Sequence, residues 1–239
     1  MKKVYTYILL ILSVITSIPV FAQDNDKILN RPYADLKRFH YGFSVGFFNQ
    51  SLWMTHNGMI TDNGEQWFVD QSGLAPGFCV NILGDLRLAE HFNLRLTPGM
   101  YFGNRTLTFR DAKSGNVEKQ DLKNASIVLP LDVKMSAKRW RNLRPYVTTG
   151  VLAAFDLTKE KDDELLWMKG TDMFLTIGFG LDVYVPYFKF IPEVKFCFGL
   201  KNMIEKNRPD LADDPNKLKF TQSLDKAISN MVVFTFYFE

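Results

Sequence analysis

The chain ends Val232-Val233-Phe234-Thr235-Phe236-Tyr237-Phe238-Glu239. Successive side chains of a strand point to opposite sides, so Val232, Phe234, Phe236 and Phe238 share one face and Val233, Thr235 and Tyr237 the other. A terminal strand this aromatic, with one wholly apolar face, suits the wall of a membrane-spanning barrel whose outer surface meets lipid. A strand of a two-sheet sandwich would show the same alternation, so the rest of the chain has to decide between the two.

The other end carries an export signal. Lys2 and Lys3 form a basic n-region, residues 7–18 an apolar h-region, and Val20-Phe21-Ala22 a small-residue cleavage site, which together read as a signal peptide over residues 1–22. Its removal takes Lys2 and Lys3 and no acid, and the net charge drops from +3 to +1. A near-neutral mature chain lacks the basic stripe that nucleic-acid binding needs. No run in it is long and apolar enough for a spanning helix, so it crosses a bilayer only as a closed barrel, the form that satisfies its own backbone. Cys79 and Cys197 are the two cysteines. They are too few for a disulfide framework and read as small buried residues.

Residues 23–38 are polar, carry Pro32 and read as a periplasmic lead-in, with the barrel spanning 39–239. Eight alternating segments follow, at 39–49, 77–84, 92–103, 126–136, 144–157, 172–185, 189–200 and 229–239. The outward set includes Phe43, Phe47, Phe179, Phe196 and Phe236, expected to face lipid. The segment 144–157 is apolar on both faces, and its orientation is not readable. Each run is about the length of a membrane strand, roughly 9–11 residues. The links at 50–76, 104–125, 158–171 and 201–228 are long and polar, whereas those at 85–91, 137–143 and 186–188 are short. Long extracellular loops, short periplasmic turns and an even strand number characterise outer-membrane barrels. The expected fold is therefore all-β: a closed, antiparallel, eight-stranded transmembrane barrel. Pro98, Pro130 and Pro192 fall inside strands and predict bulges or strain there, and a short helix is expected near 218–226.

The inward face carries Arg95, Asp132, Lys134, Asp182, Glu193 and Lys195, three charges of each sign. Eight strands leave an interior that side chains fill, so these charges are expected to pair as a plug. A proton or ion path is the functional alternative. Equal signs argue against a selectivity filter. Catalysis has little to stand on. His40 and His91 fall on the periplasmic side, which leaves His56, with Asp62 or Asp70 and Ser51 or Ser72, as a triad that nothing in the spacing enforces. No His/Cys pair has metal-ligand spacing, the Gly178–Gly180 run opens no helix and so cradles no phosphate, and no cofactor is expected. Trp53 and Trp167 suit an interfacial girdle. Trp67, in the middle of a long loop, suits partner contact or internal loop packing.

Three segments look familiar together: Arg31-Pro32-Tyr33-Ala34-Asp35-Leu36-Lys37-Arg38-Phe39-His40-Tyr41-Gly42-Phe43, Thr221-Gln222-Ser223-Leu224-Asp225-Lys226, and 229–239. Over essentially the whole mature chain this resembles the PorT family of outer-membrane β-barrel proteins, associated with type IX secretion in Gram-negative bacteria. The resemblance implies a non-enzymatic accessory barrel of the outer membrane that assists cargo export by working with other outer-membrane or periplasmic secretion components, and it supplies no catalytic residues. Trp67, Arg31 and Tyr33 are then the candidate contact residues, beside the lipid-facing wall. Two alternatives stay open: a generic small barrel for adhesion or envelope integrity, and a lipid-modifying enzyme using His56.

Overall fold

The computed structural model describes residues 29–60, 64–71, 74–113, 115–158, 166–205, 220 and 223–239. The signal-peptide reading falls outside them. A single 3-10 turn at Ala34–Leu36 precedes ten strands: β1 Phe39–His56, β2 Trp67–Gln71, β3 Pro76–Arg87, β4 Phe92–Leu96, β5 Gly99–Asp111, β6 Val117–Ser136, β7 Leu143–Asp156, β8 Thr171–Tyr184, β9 Lys189–Gly199 and β10 Leu224–Phe238.

Eight barrel positions come from these ten strands. β1 pairs with β10 on one side and with β3 on the other, so the sheet closes on itself. β4 and β5 share one register against both β3 and β6, and together make one barrel strand interrupted at Thr97-Pro98. β2 lies outside the ring and extends it, pairing with the far end of β5. Every pairing is antiparallel. Closure leaves no open edge in the ring.

The strands run past the bilayer, which corrects the reading of the long links as loops. β5 and β6 continue as a hairpin to Asp111 and Val117. Its outward pairs are Asn104↔Lys123, Thr106↔Asp121 and Thr108↔Lys119, while Leu107, Phe109 and Leu122 point inward and are buried. Polar outward residues suit water, and that polarity made the stretch look like a loop. Likewise Leu224–Lys226, expected to be helical, opens β10.

The prolines break hydrogen bonds without shifting register. The β8–β9 ladder lapses after Gly180↔Glu193 and resumes at Val183↔Phe190 around Pro192. At Pro98 the proline carbonyl accepts the Ile82 N–H at 2.9 Å, and the neighbouring Thr97 N–H reaches the Pro130 carbonyl at 3.2 Å. The expected bulges do not form, because a missing N–H costs one rung while the carbonyls still pair. In β7 the unassigned orientation resolves: Tyr146, Thr148 and Leu152 point inward.

Candidate functional site

Alternation places the side chains of β3, β4, β6, β7, β8 and β9 on a shared inner face, and the charged ones form a chain across it. Arg95 on β4 is fully buried and donates to Asp85 on β3 at 2.9 Å and to Glu193 on β9 at 3.1 Å. Lys195 links Glu193, at 3.3 Å, to Asp132 on β6, at 2.6 Å. Asp132 also accepts from the Thr176 hydroxyl. Beside this chain Lys134 grips Asp182 at 2.7 Å, and its ammonium lies 4.1 Å from the centre of the Tyr146 ring. The Tyr146 hydroxyl donates to Glu193 at 2.7 Å, and Tyr237 donates to the same carboxylate. Gly180 makes room for Tyr146, whose ring occupies the space where a Cβ would stand. All six charges expected in the lumen are in this network, and Asp85 joins them.

Asp85 escaped the sequence reading because the second segment was ended at Gly84. The alternation Cys79, Asn81, Leu83, Asp85 runs on for one more inward position, and that was the available signal.

Further seals lie above and below the charges. Toward the extracellular side Phe48, Tyr101, Val128, Leu152, Phe174 and Met231 form an apolar layer that also holds Cys79 and Cys197, both free thiols. Above it a chamber of about 30 Å³, room for about two waters, is lined by residues of that layer together with charged ones that include Arg105, Asp156, Lys169 and Asp172. A second apolar cluster caps the chamber, with Leu52, Trp67, Phe109, Leu166 and Phe220 among its members.

The lead-in closes the periplasmic mouth. Asn30 bonds Asn142 in the β6–β7 turn and the Tyr184 carbonyl at the end of β8. Arg31 donates to the Glu239 main-chain oxygen at 3.0 Å. Asp35 receives the Tyr184 hydroxyl and lies 3.5 Å from Arg144. Glu239, just beyond β10, takes His40 at 2.7 Å and Lys189 at 2.6 Å. Burial opposes its ionisation, but the His40 hydrogen bond and the Lys189 ammonium outweigh burial and hold its carboxyl down to about 2.

A model of the outer membrane protein beta-barrel domain family matches residues 21–205. The chain belongs to that family. Among solved structures it is similar to the N-terminal β-barrel domain of Pseudomonas aeruginosa OprF, with 12% identity over 83% of this chain and 99% of that one and a TM-score of 0.36. No curated protein matches the sequence.

On this outer-membrane barrel Phe43, Phe47, Phe179, Phe196 and Phe236 all stand on the outer wall, 37–65% exposed. Trp67 is a correction. Offered as a partner contact, it is 6% exposed and packs edge-on against Phe220 at 4.8 Å. Its strand β2 folds onto β5, which turns the indole inward to fill the cap. Of the other two contact candidates, Arg31 is half-buried in the plug and Tyr33 is 75% exposed.

His56 has a structural position. Its Nε2 accepts the Val69 N–H at 2.9 Å, joining β1 to β2. Among the described residues neither Ser51 nor Asp70 bonds it; Asp62 and Ser72 lie outside them. Among the described residues no group of three His, Cys, Asp or Glu side chains could hold a metal.

Proposed function

We propose that this barrel assists type IX protein secretion by assembling with, or stabilising, a larger export machinery, and that it performs no chemistry itself. The carrying observation is the filled interior. Ion pairs, an apolar layer, a loop cap and a docked lead-in occupy the axis one above another, so whatever the protein does, it does through its surfaces. The likeness of the lead-in and last strand to the PorT family supplies the secretion part of the reading. Delivery by a signal peptide cleaved after Ala22 belongs to the same proposal, and N-terminal sequencing of the membrane form should begin at Gln23.

A clean deletion tests the function. Cargo should accumulate in the periplasm while the abundance of other outer-membrane proteins stays unchanged. Normal export would overturn the reading in favour of a general envelope or adhesion barrel, which family membership alone also fits. Retention of export in a His56→Ala strain is expected, since the ring serves the β1–β2 junction.

A further inference from the structure

We propose that the periplasmic face is a docking surface for an acidic polypeptide segment, with Tyr33 as its central anchor. The proposal rests on the secretion-partner reading and names the partner's chemistry.

Two observations carry it. The first is charge. Lys37, Arg38 and Lys138 are exposed on this face and Arg87 and Arg141 half-buried, and no described residue forms an ion pair with any of the five. Asp35 is already taken by Arg139, Arg144 and the Tyr184 hydroxyl, which leaves Glu90 as the exposed acid among the described residues there. The opposite rim differs: on the β5–β6 hairpin Arg110, Lys119 and Lys123 are interspersed with Glu118 and Asp121. The five cations of the periplasmic face, against one exposed acid among the described residues there, make a predominantly positive surface, which attracts a partner of the other sign and sets its orientation.

The second observation is where the exposed aromatic sits. Trp140 and Tyr187, 64% and 94% exposed, lie in the strand-end turns, where a headgroup-level girdle accounts for them. Tyr33 is on the segment tied across the mouth, between the Asn30 and Arg31 anchors and Asp35. Those bonds hold the segment over the strand ends at the mouth and not along the lipid-facing wall, which leaves a tyrosine 75% exposed there open to a periplasmic partner. Tyr and Arg are the residue types that concentrate binding energy at protein interfaces. This placement favours a protein segment over anionic phospholipid.

The test uses the full chain in living cells, with the photo-crosslinker p-benzoylphenylalanine at position 33. The expected result is an adduct with a protein that mass spectrometry identifies as an acidic periplasmic polypeptide. Combined Lys37→Glu, Arg38→Glu and Lys138→Glu should lower the adduct at least tenfold, while the heat-modifiable folded barrel persists on gels. Combined Lys119→Glu and Lys123→Glu on the opposite rim should leave the adduct unchanged. An adduct with phospholipid alone or with residues 23–28 of the same chain, a protein adduct insensitive to charge reversal, or no adduct would overturn the proposal. Cargo export read in parallel separates the two readings. Export lost on deletion, with no charge-sensitive adduct, sinks the docking surface and spares the secretion role. Export intact on deletion, with the charge-sensitive adduct present, does the reverse.

Discussion

Arg95 and Arg105 are both buried inside the barrel, yet their surroundings differ. Arg95 has Asp85, Glu193 and Tyr146 on its guanidinium. Arg105 has Nε and Nη1 without a hydrogen-bond partner among the described residues, and lines the same chamber as Asp156 and Asp172. Removing one member of a paired buried set strands the other, at a cost of about 3–5 kcal/mol. Arg95→Met should therefore lose about that much in urea titration of the refolded barrel. Arg105→Met should stay within about 1 kcal/mol, because desolvating a charge with few hydrogen bonds already offsets most of its attraction to the acids. Equal losses in the two variants would contradict this account of the lumen. The pairing set was legible at the level of residue type, since inward charges in a narrow barrel have nowhere else to go. Which acid meets which base was not legible, because it depends on the stagger of strands far apart in sequence, as with Arg95 and Glu193.

The strands themselves were readable because each satisfies one rule, apolar outward and mixed inward, over a bilayer-length run. Their ends were not. Where β5 and β6 leave the membrane the rule inverts to polar outward and apolar inward, and Thr106, Thr108 and Leu107 no longer resemble a membrane strand. Trp67 left two readings open for the same reason: in a long polar link the Trp67-Phe68-Val69 run either projects or packs, and the pairing of β2 with β5 that buries the indole is not visible in the sequence. The lead-in makes a prediction of its own at this scale. Arg31 ties the plug to the Glu239 main-chain oxygen, while the Glu239 carboxyl, gripped by His40 and Lys189 at the start of β1 and β9, is held at about 2 against an ordinary 4.5. A depressed carboxyl contributes stability that is fully present above its unfolded value and is lost as pH falls through the folded one. Glu239→Gln should cost about 3 kcal/mol at pH 7, taking one pKa unit as about 1.4 kcal/mol. The difference from the wild type should shrink below about pH 4.5 and vanish near pH 2, as followed by urea titration across that range. A difference that persists unchanged at pH 2 would mean that the carboxylate charge is not what fastens the end of β10 to β1 and β9.

For the whole molecule the consequence is a barrel without a pore. Aqueous passage through a barrel needs about 16 strands, and this ring has eight positions with side chains filling its axis. Planar bilayers containing the purified protein should show no large steady conductance. The stacked seals sharpen that expectation, since opening one leaves the others in place. Arg95→Ala loosens the charged layer, but Phe48, Tyr101 and Phe174 still cross the axis above it, so the single variant should be less stable yet still electrically closed. Even a variant that also truncates the apolar layer, Arg95→Ala with Phe48→Ala and Tyr101→Ala, keeps the loop cap and the docked lead-in across the axis, so it too should pass no steady current. Steady conductance in the wild type would break the case for a surface-acting protein at its root. Conductance in Arg95→Ala alone would show that the ion pairs are the single gate and that the layer above them yields to water.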